Sequence, residues 1–179
     1  MLQHRGDPSR CVVLLPGIRY FSQAPLLWFA REAAQAGGWS VVEVDERAPG
    51  DEQPFEWMQG QAQRALDAAS GAELVVVVGK SLGSAAAPLV SGPAVWLTPL
   101  MNQAGIAEAI GAATAPTLLV GSTADPTWSE GSVPENGALD VVELHGLDHS
   151  LQVSADPLAS LDVLRDVTAR VGAFLERLS

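Results

Sequence analysis

The sequence contains little cysteine, few basic residues and no long apolar run. Its single cysteine, Cys11, excludes an internal disulfide framework, and its place in an apolar run predicts an inert core residue. One cysteine and three histidines without ligand spacing give no zinc pattern, so we expect neither a metal nor a cofactor. No apolar run reaches the length of a signal-peptide core or a membrane span, which predicts a cytoplasmic protein without a membrane partner.

Basic residues are scarce relative to acidic ones. Ten Lys and Arg residues stand against 21 Asp and Glu residues, which gives a formal net charge of −11. A nucleic acid or an anionic membrane would repel such a chain, and we expect neither as a partner. The length of 179 residues and the 47% of hydrophobic residues predict one globular domain over residues 1–179.

Short apolar runs alternate with helical patterns, after an irregular lead-in over residues 1–10 in which His4 is expected to be solvated. The predicted strands are Cys11–Leu15, Trp39–Val44, Leu74–Val78, Ala94–Leu97, Thr117–Val120 and Val141–Leu144. Helices are predicted over residues 22–36, 55–69, 82–90, 106–110 and 157–178, and polar loops over Asp45–Pro54 and Gly121–Gly137. This alternation predicts an α/β fold with a doubly wound, mostly parallel six-stranded sheet and helices on both faces.

The stretch that begins at Leu74 reads LVVVVGKSLGS, a buried strand that runs directly into Gly79, Ser81 and Gly83. A serine between two glycines on a strand-to-helix turn is the G-x-S-x-G nucleophile elbow, in which a strained backbone exposes the hydroxyl. A phosphate-binding P-loop would also end in Gly-Lys-Ser, but it requires a glycine where Leu74 stands. A tight turn whose serine has no chemical role remains the alternative to the elbow.

Ligands of a doubly wound sheet bind at the carboxyl ends of its strands. Ser81, Asp125 and His149 follow the third, fifth and sixth predicted strands, and serine, acid and histidine in this order match the hydrolase triad. His145, at the end of the sixth strand, is predicted to be structural. Asp148 is an alternative acid, although a carboxylate cannot easily face the ring of the residue that follows it.

These motifs resemble those of the α/β-hydrolase superfamily in a small, cap-less form. The resemblance rests on GKSLGS from Gly79, on GSTADPTW with Asp125, and on GLDHSL with His149. Pro16-Gly17 after the first strand is a weaker match and stands where the family usually has His-Gly. The family's first two antiparallel strands are expected to be missing, and no segment between the fourth and fifth strands has room for a lid.

The resemblance implies a serine hydrolase. Ser81 would be the nucleophile, His149 the general base and Asp125 the acid that orients the imidazole. The backbone N–H groups of Leu82 and Ile18 would form the oxyanion hole.

Loop residues beside the expected site are candidate substrate contacts. These are Arg19, Tyr20 and Trp128, and Arg19 is also the next choice for the second oxyanion donor. The substrate is expected to be a small-molecule carboxylic ester or thioester with a short acyl group, because a pocket without a lid should be shallow.

Two other functions stay open from the sequence. A catalytically idle, hydrolase-like binding or scaffolding module is one, since missing strands would leave a sheet edge for a partner or a homodimer. A flavodoxin-like nucleotide or flavin domain would share the sheet topology. However, the loop from Pro16 to Tyr20 is a poor phosphate-binding loop.

Overall fold

The computed structural model describes residues 1–45, 53–128, 133 and 135–178. Residues 46–52 of the predicted loop Asp45–Pro54, and residues 129–132 and 134 of the predicted loop Gly121–Gly137, lie outside the described residues. Within the described ranges the strands are β1 Leu2–His4, β2 Asp7–Leu15, β3 Trp39–Glu43, β4 Leu74–Lys80, β5 Ala94–Leu97, β6 Thr117–Ser122 and β7 Leu139–Leu144. The helices are α1 Pro25–Ala36, α2 Pro54–Ala69, α3 Ala104–Gly111, α4 Pro157–Glu176 and a 3₁₀ helix, Ser81–Leu89.

The strands form one mostly parallel sheet in the order β1-β3-β2-β4-β5-β6-β7. Strands β2 to β7 pair in parallel, whereas β1 runs antiparallel to β3. Order and direction confirm the predicted α/β class with a mostly parallel sheet. Because the parallel strands share one direction, the loops that follow β2, β4, β6 and β7 meet at the same edge of the sheet.

The sheet has seven strands in the described residues, so the prediction of six strands was one short. The lead-in is not irregular, because Leu2–His4 pairs with β3 and β2 begins at Asp7 rather than at Cys11. His4 is therefore not simply solvated: its Nε2 lies 3.3 Å from Oε2 of the fully buried Glu43. The prediction that both N-terminal antiparallel strands are missing is wrong for one of them, because β1 is present and runs antiparallel along the edge of β3.

Helices pack on both faces of the sheet, and the central strands are buried on both sides. In β4, the side chain of Val77 joins one apolar cluster while Val76 and Val78 join the other. The first cluster also holds buried residues of α2, α3 and the 3₁₀ helix, and the second holds those of α1 and α4. Cys11 is buried, as predicted, and burial raises the pKa of its thiol. No helix in the described ranges is both long enough and apolar enough to cross a bilayer.

The helix predicted over residues 82–90 is present as a 3₁₀ helix, Ser81–Leu89, and not as an α-helix. Two local features weaken the α-helical hydrogen-bond pattern here. Pro88 lies inside the helix and has no N–H to donate. The Ser84 hydroxyl donates to the Ser81 carbonyl at 2.6 Å and so competes for an acceptor that an α-helix would use.

Candidate active site

Ser81 lies on a sharp turn between β4 and the 3₁₀ helix. Its φ is +52°, in the left-handed region that a residue with a side chain rarely adopts. Close approach explains both flanking glycines: a Cβ at Gly79 would come within 2.5 Å of the Trp96 ring. A Cβ at Gly83 would come within 2.5 Å of the Leu15 carbonyl oxygen. The predicted elbow is therefore strained at its serine and tightly packed at both glycines.

The structure brings together the three residues that the sequence singled out. His149 Nε2 lies 2.7 Å from Ser81 Oγ, and His149 Nδ1 lies 2.7 Å from Asp125 Oδ2. A carboxylate at Nδ1 favours the tautomer that carries its proton there, which leaves Nε2 free to accept from the serine hydroxyl. Ser81 is 8% exposed and the His149 side chain 33% exposed, so the chain of hydrogen bonds ends at the protein surface.

Asp125 is buried but remains suited to carry a negative charge. Burial alone would raise the pKa of its carboxyl, but hydrogen bonds from His149 and Thr127 outweigh that effect and hold the pKa below its usual value. The Thr127 backbone N–H and hydroxyl donate to Oδ1 at 2.9 and 2.8 Å. Oδ2 stays directed at the imidazole. Thr127 is a functional neighbour that the sequence analysis missed, although an acid followed two residues later by threonine was a readable signal.

Two buried serines fix the loops of the site, and neither was predicted from the sequence. Ser122, at the end of β6, accepts the backbone N–H of Leu147 at 3.0 Å, which ties the loop of the acid to the loop of the histidine. Ser84 accepts the backbone N–H of Leu100 at 3.1 Å while it donates to the Ser81 carbonyl. The bonds to Leu147 and Leu100 join residues 25 and 16 positions apart, so a local sequence pattern does not predict them.

The loop after β2 runs directly against the elbow. Gly17 and Tyr20 exchange two backbone hydrogen bonds at 3.0 and 3.3 Å, and Arg19 between them has a φ of +57°. A Cβ at Gly17 would lie 3.1 Å from Ser81 Cβ. The loop therefore holds the backbone of Ile18 close to the serine, while the Ile18 side chain is 53% exposed.

Comparison of the sequence with protein-family models and with curated proteins finds no significant match. Solved structures do resemble it. Est1E from Butyrivibrio proteoclasticus with ferulic acid bound superposes with a TM-score of 0.73 at 13% identity, over 98% of this chain and 93% of that chain. A serine hydrolase without a lid from Xanthomonas campestris gives 0.69 at 13%, over 98% and 84%. Monoacylglycerol lipase from Paleococcus ferrophilus gives 0.65 at 15%, over 97% and 98%. The chain has the α/β-hydrolase fold.

Within this α/β-hydrolase fold, the residue before Ser81 is a buried lysine. Lys80 is 2% exposed, and its Nζ lies 4.7 Å from the centroid of the Tyr20 ring. Burial lowers the pKa of Lys80 to about 8, against the opposing attraction of Asp125 and Asp148. Burial raises the pKa of Tyr20 to about 12, and the charge of Asp148 adds to that rise. Tyr20 Oη also accepts the backbone N–H of Leu26 at 3.0 Å.

The other predicted residues lie around this site in different roles. Arg19 is exposed beside Ile18, as a substrate contact would require. Trp128 is 3% exposed: its ring covers Gly121, where a Cβ would overlap it, and its Nε1 donates to Glu143 at 2.8 Å. These contacts of Trp128 support the fold, and its part in substrate binding stays a prediction.

Asp148 and His145 do not contact the imidazole of His149 through any described hydrogen bond. Asp148 Oδ1 accepts the backbone N–H groups of Ser150 and Gln152 at 2.8 and 2.9 Å, which shapes the loop after the histidine. His145 Nδ1 lies 3.4 Å from the Thr123 hydroxyl at the exposed surface.

A cavity of about 490 Å³ adjoins the loop that carries His149. It is lined by Tyr20, Leu26 and Ser150, and by Leu161 and Leu164 of α4, among others. A mainly apolar lining with a few polar groups is typical of a small-molecule site.

Proposed function

We propose that the protein is a serine hydrolase that cleaves a carboxylic ester or thioester through an acyl-enzyme on Ser81. The observation that carries the proposal is the unbroken Ser81–His149–Asp125 chain of hydrogen bonds at 2.7 Å each, on a strained elbow. A serine hydroxyl is a weak nucleophile until a base removes its proton, and His149 Nε2 is within reach of that proton.

In the proposed acylation step, His149 Nε2 takes the hydroxyl proton as Ser81 Oγ bonds to the substrate carbonyl carbon. The carbonyl electron pair moves onto oxygen, where the backbone N–H groups of Leu82 and Ile18 stabilise the negative charge. Asp125 stabilises the imidazolium without taking its proton. Collapse of the tetrahedral intermediate expels the alcohol or thiol, which leaves with the proton from Nε2.

Deacylation repeats these steps with water as the nucleophile. His149 Nε2 takes a proton from water as the water oxygen bonds to the acyl carbon. The intermediate then collapses, Ser81 Oγ leaves and recovers its proton from the imidazolium, and the carboxylic acid is released. Every proton removed is returned, so the cycle needs no cofactor.

Two features support an ester as the bond that is cleaved. One structural neighbour is named as a monoacylglycerol lipase, and another holds ferulic acid, a carboxylic acid. The 490 Å³ cavity, which is lined by Ser150 next to His149 in the chain, offers room for the apolar part of a substrate. We infer that it receives an acyl or alcohol chain.

Ester hydrolysis by matched histidine variants tests the proposal. The assay follows p-nitrophenyl acetate and butyrate with the wild type, Ser81→Ala, His149→Ala and His145→Ala. We expect the first two variants to lose about 10⁴-fold or more in kcat. His145→Ala should keep wild-type rates, because this exposed histidine lies outside the hydrogen-bonded chain. Equal losses in both histidine variants, or a wild type no faster than Ser81→Ala, would overturn the proposal for these esters and favour a binding module.

A further inference from the structure

Lys80 stands out because nothing in the proposed reaction uses it. It is the only lysine of the chain, and Tyr20 is the only tyrosine. Lysine is rarely buried completely unless a partner offsets its desolvation. Here the residue that precedes the proposed nucleophile is a lysine with 2% of its surface exposed, and its ammonium lies over the Tyr20 ring. Because a buried ammonium destabilises the folded protein, its presence at this position indicates a role in the site rather than in the core.

The side chain of Lys80 connects the elbow to the loop that carries the proposed second oxyanion donor. Its stem passes along that loop, since a Cβ at Gly17 would lie 3.3 Å from Lys80 Cδ. Its ammonium then meets the Tyr20 ring, whose negative face attracts a cation. Tyr20 is fixed at two other points, by its backbone bonds to Gly17 and by the Leu26 N–H at its hydroxyl. Ile18 lies between Gly17 and Tyr20, so its backbone position depends on this contact.

The charge of Lys80 also reaches the loop of the proposed base. Asp148 attracts the ammonium and also acts on Tyr20, so its carboxylate lies within electrostatic range of both side chains. The same carboxylate holds the N–H groups of Ser150 and Gln152, the turn that follows His149. Asp125 attracts the ammonium from a third loop. Lys80 is thus one cation that interacts with three loops, those after β2, β6 and β7, which carry the proposed oxyanion donor, the acid and the base.

We propose that Lys80 is a positioning residue that holds the oxyanion loop against the elbow through the Tyr20 ring, and that the loop is in place only while Lys80 is protonated. The inference rests on the proposed hydrolase function. Loss of the proton removes the attraction of the ring and of Asp148, and the Ile18 N–H moves away from the developing oxyanion. Such a displacement acts on the transition state more than on substrate binding, so it lowers kcat more than it changes KM.

The groups that face Lys80 predict the pH dependence. They are Tyr20 from the loop after β2, Asp125 from the loop after β6 and Asp148 from the loop after β7. Asp125 remains ionised above its lowered pKa, and Tyr20, with a pKa of about 12, stays neutral in the working range. Lys80, with a pKa of about 8, changes charge just above neutral pH, where Asp125 and Tyr20 keep theirs.

Steady-state kinetics of Lys80→Met, Tyr20→Leu and the double variant test the inference with p-nitrophenyl butyrate. We expect each single change to lower kcat on the order of tenfold with KM within about twofold, a loss typical of a modest displacement of catalytic groups. The double variant should be no slower than the slower single variant, because both changes break one contact. Tyr20→Phe keeps the ring that attracts the Lys80 ammonium but loses the hydroxyl that accepts the Leu26 N–H, so it should lower kcat less than Tyr20→Leu does. Arg165→Met, which removes an exposed cation, should match the wild type.

A titration of the wild type tests the same inference without any variant. Because the chain has one lysine, the carbon signal of its lysine ε-methylene in a ¹³C-labelled sample reports Lys80 alone. Its midpoint should coincide with the alkaline fall of kcat/KM, and that fall should be absent from Lys80→Met. Three results would overturn the inference: additive losses in the double variant, an unchanged kcat in Lys80→Met, or midpoints more than about one pH unit apart. The proposed hydrolase function would still stand in each case, provided that the wild type hydrolyses the ester. A wild type without hydrolysis would instead refute the proposed function, and the inference with it.

Discussion

Replacement of Lys80 by methionine should make the protein more stable at pH 6. Burial lowers the pKa of this side chain from 10.5 to about 8. A pKa change of one corresponds to about 1.4 kcal/mol, so the charged form costs the folded state roughly 3 kcal/mol relative to the neutral form. Methionine fills a similar volume without a charge, and Lys80→Met should therefore gain up to about 3 kcal/mol in the free energy of unfolding.

The sign of the pH dependence follows from proton binding. At pH 6 both the folded and the unfolded chain hold the Lys80 proton, and the full cost of burying the charge is present. Between pH 8 and pH 10.5 the unfolded chain still holds a proton that the folded chain has lost, so the stability of the wild type rises with pH. The methionine variant lacks this contribution. Its advantage over the wild type should therefore shrink as the pH rises from about 8 to about 10.5.

Urea unfolding at pH 6 and pH 10, followed by tryptophan fluorescence, measures this difference. For a chain of this length a gain of about 3 kcal/mol corresponds to roughly 6–12 °C in Tm. Arg165→Met is the matched control, because its exposed ion pair with Asp162 contributes little. A Lys80→Met variant that is less stable than the wild type at pH 6 would refute the reasoning, since the buried charge would then be a net stabilising one.

Three further changes separate catalysis, packing and substrate binding. Asp125→Asn should lower kcat by about 10⁴ with KM nearly unchanged, because an amide favours the wrong imidazole tautomer; rates near wild type would remove the acid from the mechanism. Gly83→Ala should lower the free energy of unfolding by about 1–3 kcal/mol, because its Cβ meets a backbone carbonyl. Gly60→Ala, in α2 with open space around it, should raise the free energy of unfolding by about 0.5–1 kcal/mol, and urea unfolding measures both. Equal effects of the two glycine variants would contradict the close approach at the elbow. Leu161→Asp, at the cavity, should lower kcat/KM for p-nitrophenyl octanoate more than for p-nitrophenyl acetate. Leu158→Asp, on an exposed position of the same helix, should leave the ratio of the two kcat/KM values unchanged. The same ratio in both variants would exclude the cavity as the binding site of the acyl chain.

The arrangement of Ser81, Asp125 and His149 was accessible from the sequence because each follows a strand with a strong apolar pattern. Parallel strands place their carboxyl ends at one edge, so the order of the motifs along the chain was enough to bring the three side chains together. The predicted class and topology followed from the same apolar runs. The two glycines of the elbow were readable because their small size is a local requirement of the turn.

The first strand was missed because Leu2–His4 has three residues and no apolar run. It exists through pairing with β3, a contact across nearly forty residues that propensity does not report. The proximity of His4 to Glu43 depends on the same pairing.

The burial of Lys80 could not be predicted from the sequence either. Lysine is mostly exposed in proteins, and the side chain of Lys80 packs against Gly17 and Tyr20, in a loop that approaches it only in the folded protein. The 3₁₀ geometry after the elbow likewise depends on the hydroxyl of Ser84 and on Pro88, whose effects the small-residue pattern does not display.

The most direct test of the hydrolase proposal is covalent labelling of Ser81 by a fluorophosphonate, read by intact-mass and peptide mass spectrometry. The proposal predicts one adduct per chain, located on Ser81, formed by the folded wild type and lost in Ser81→Ala, in His149→Ala and after denaturation in urea. An activated serine requires its base, so the loss in His149→Ala ties the reactivity to the hydrogen-bonded chain rather than to mere exposure. A wild type that forms no adduct, or forms it equally well without His149, would contradict the account.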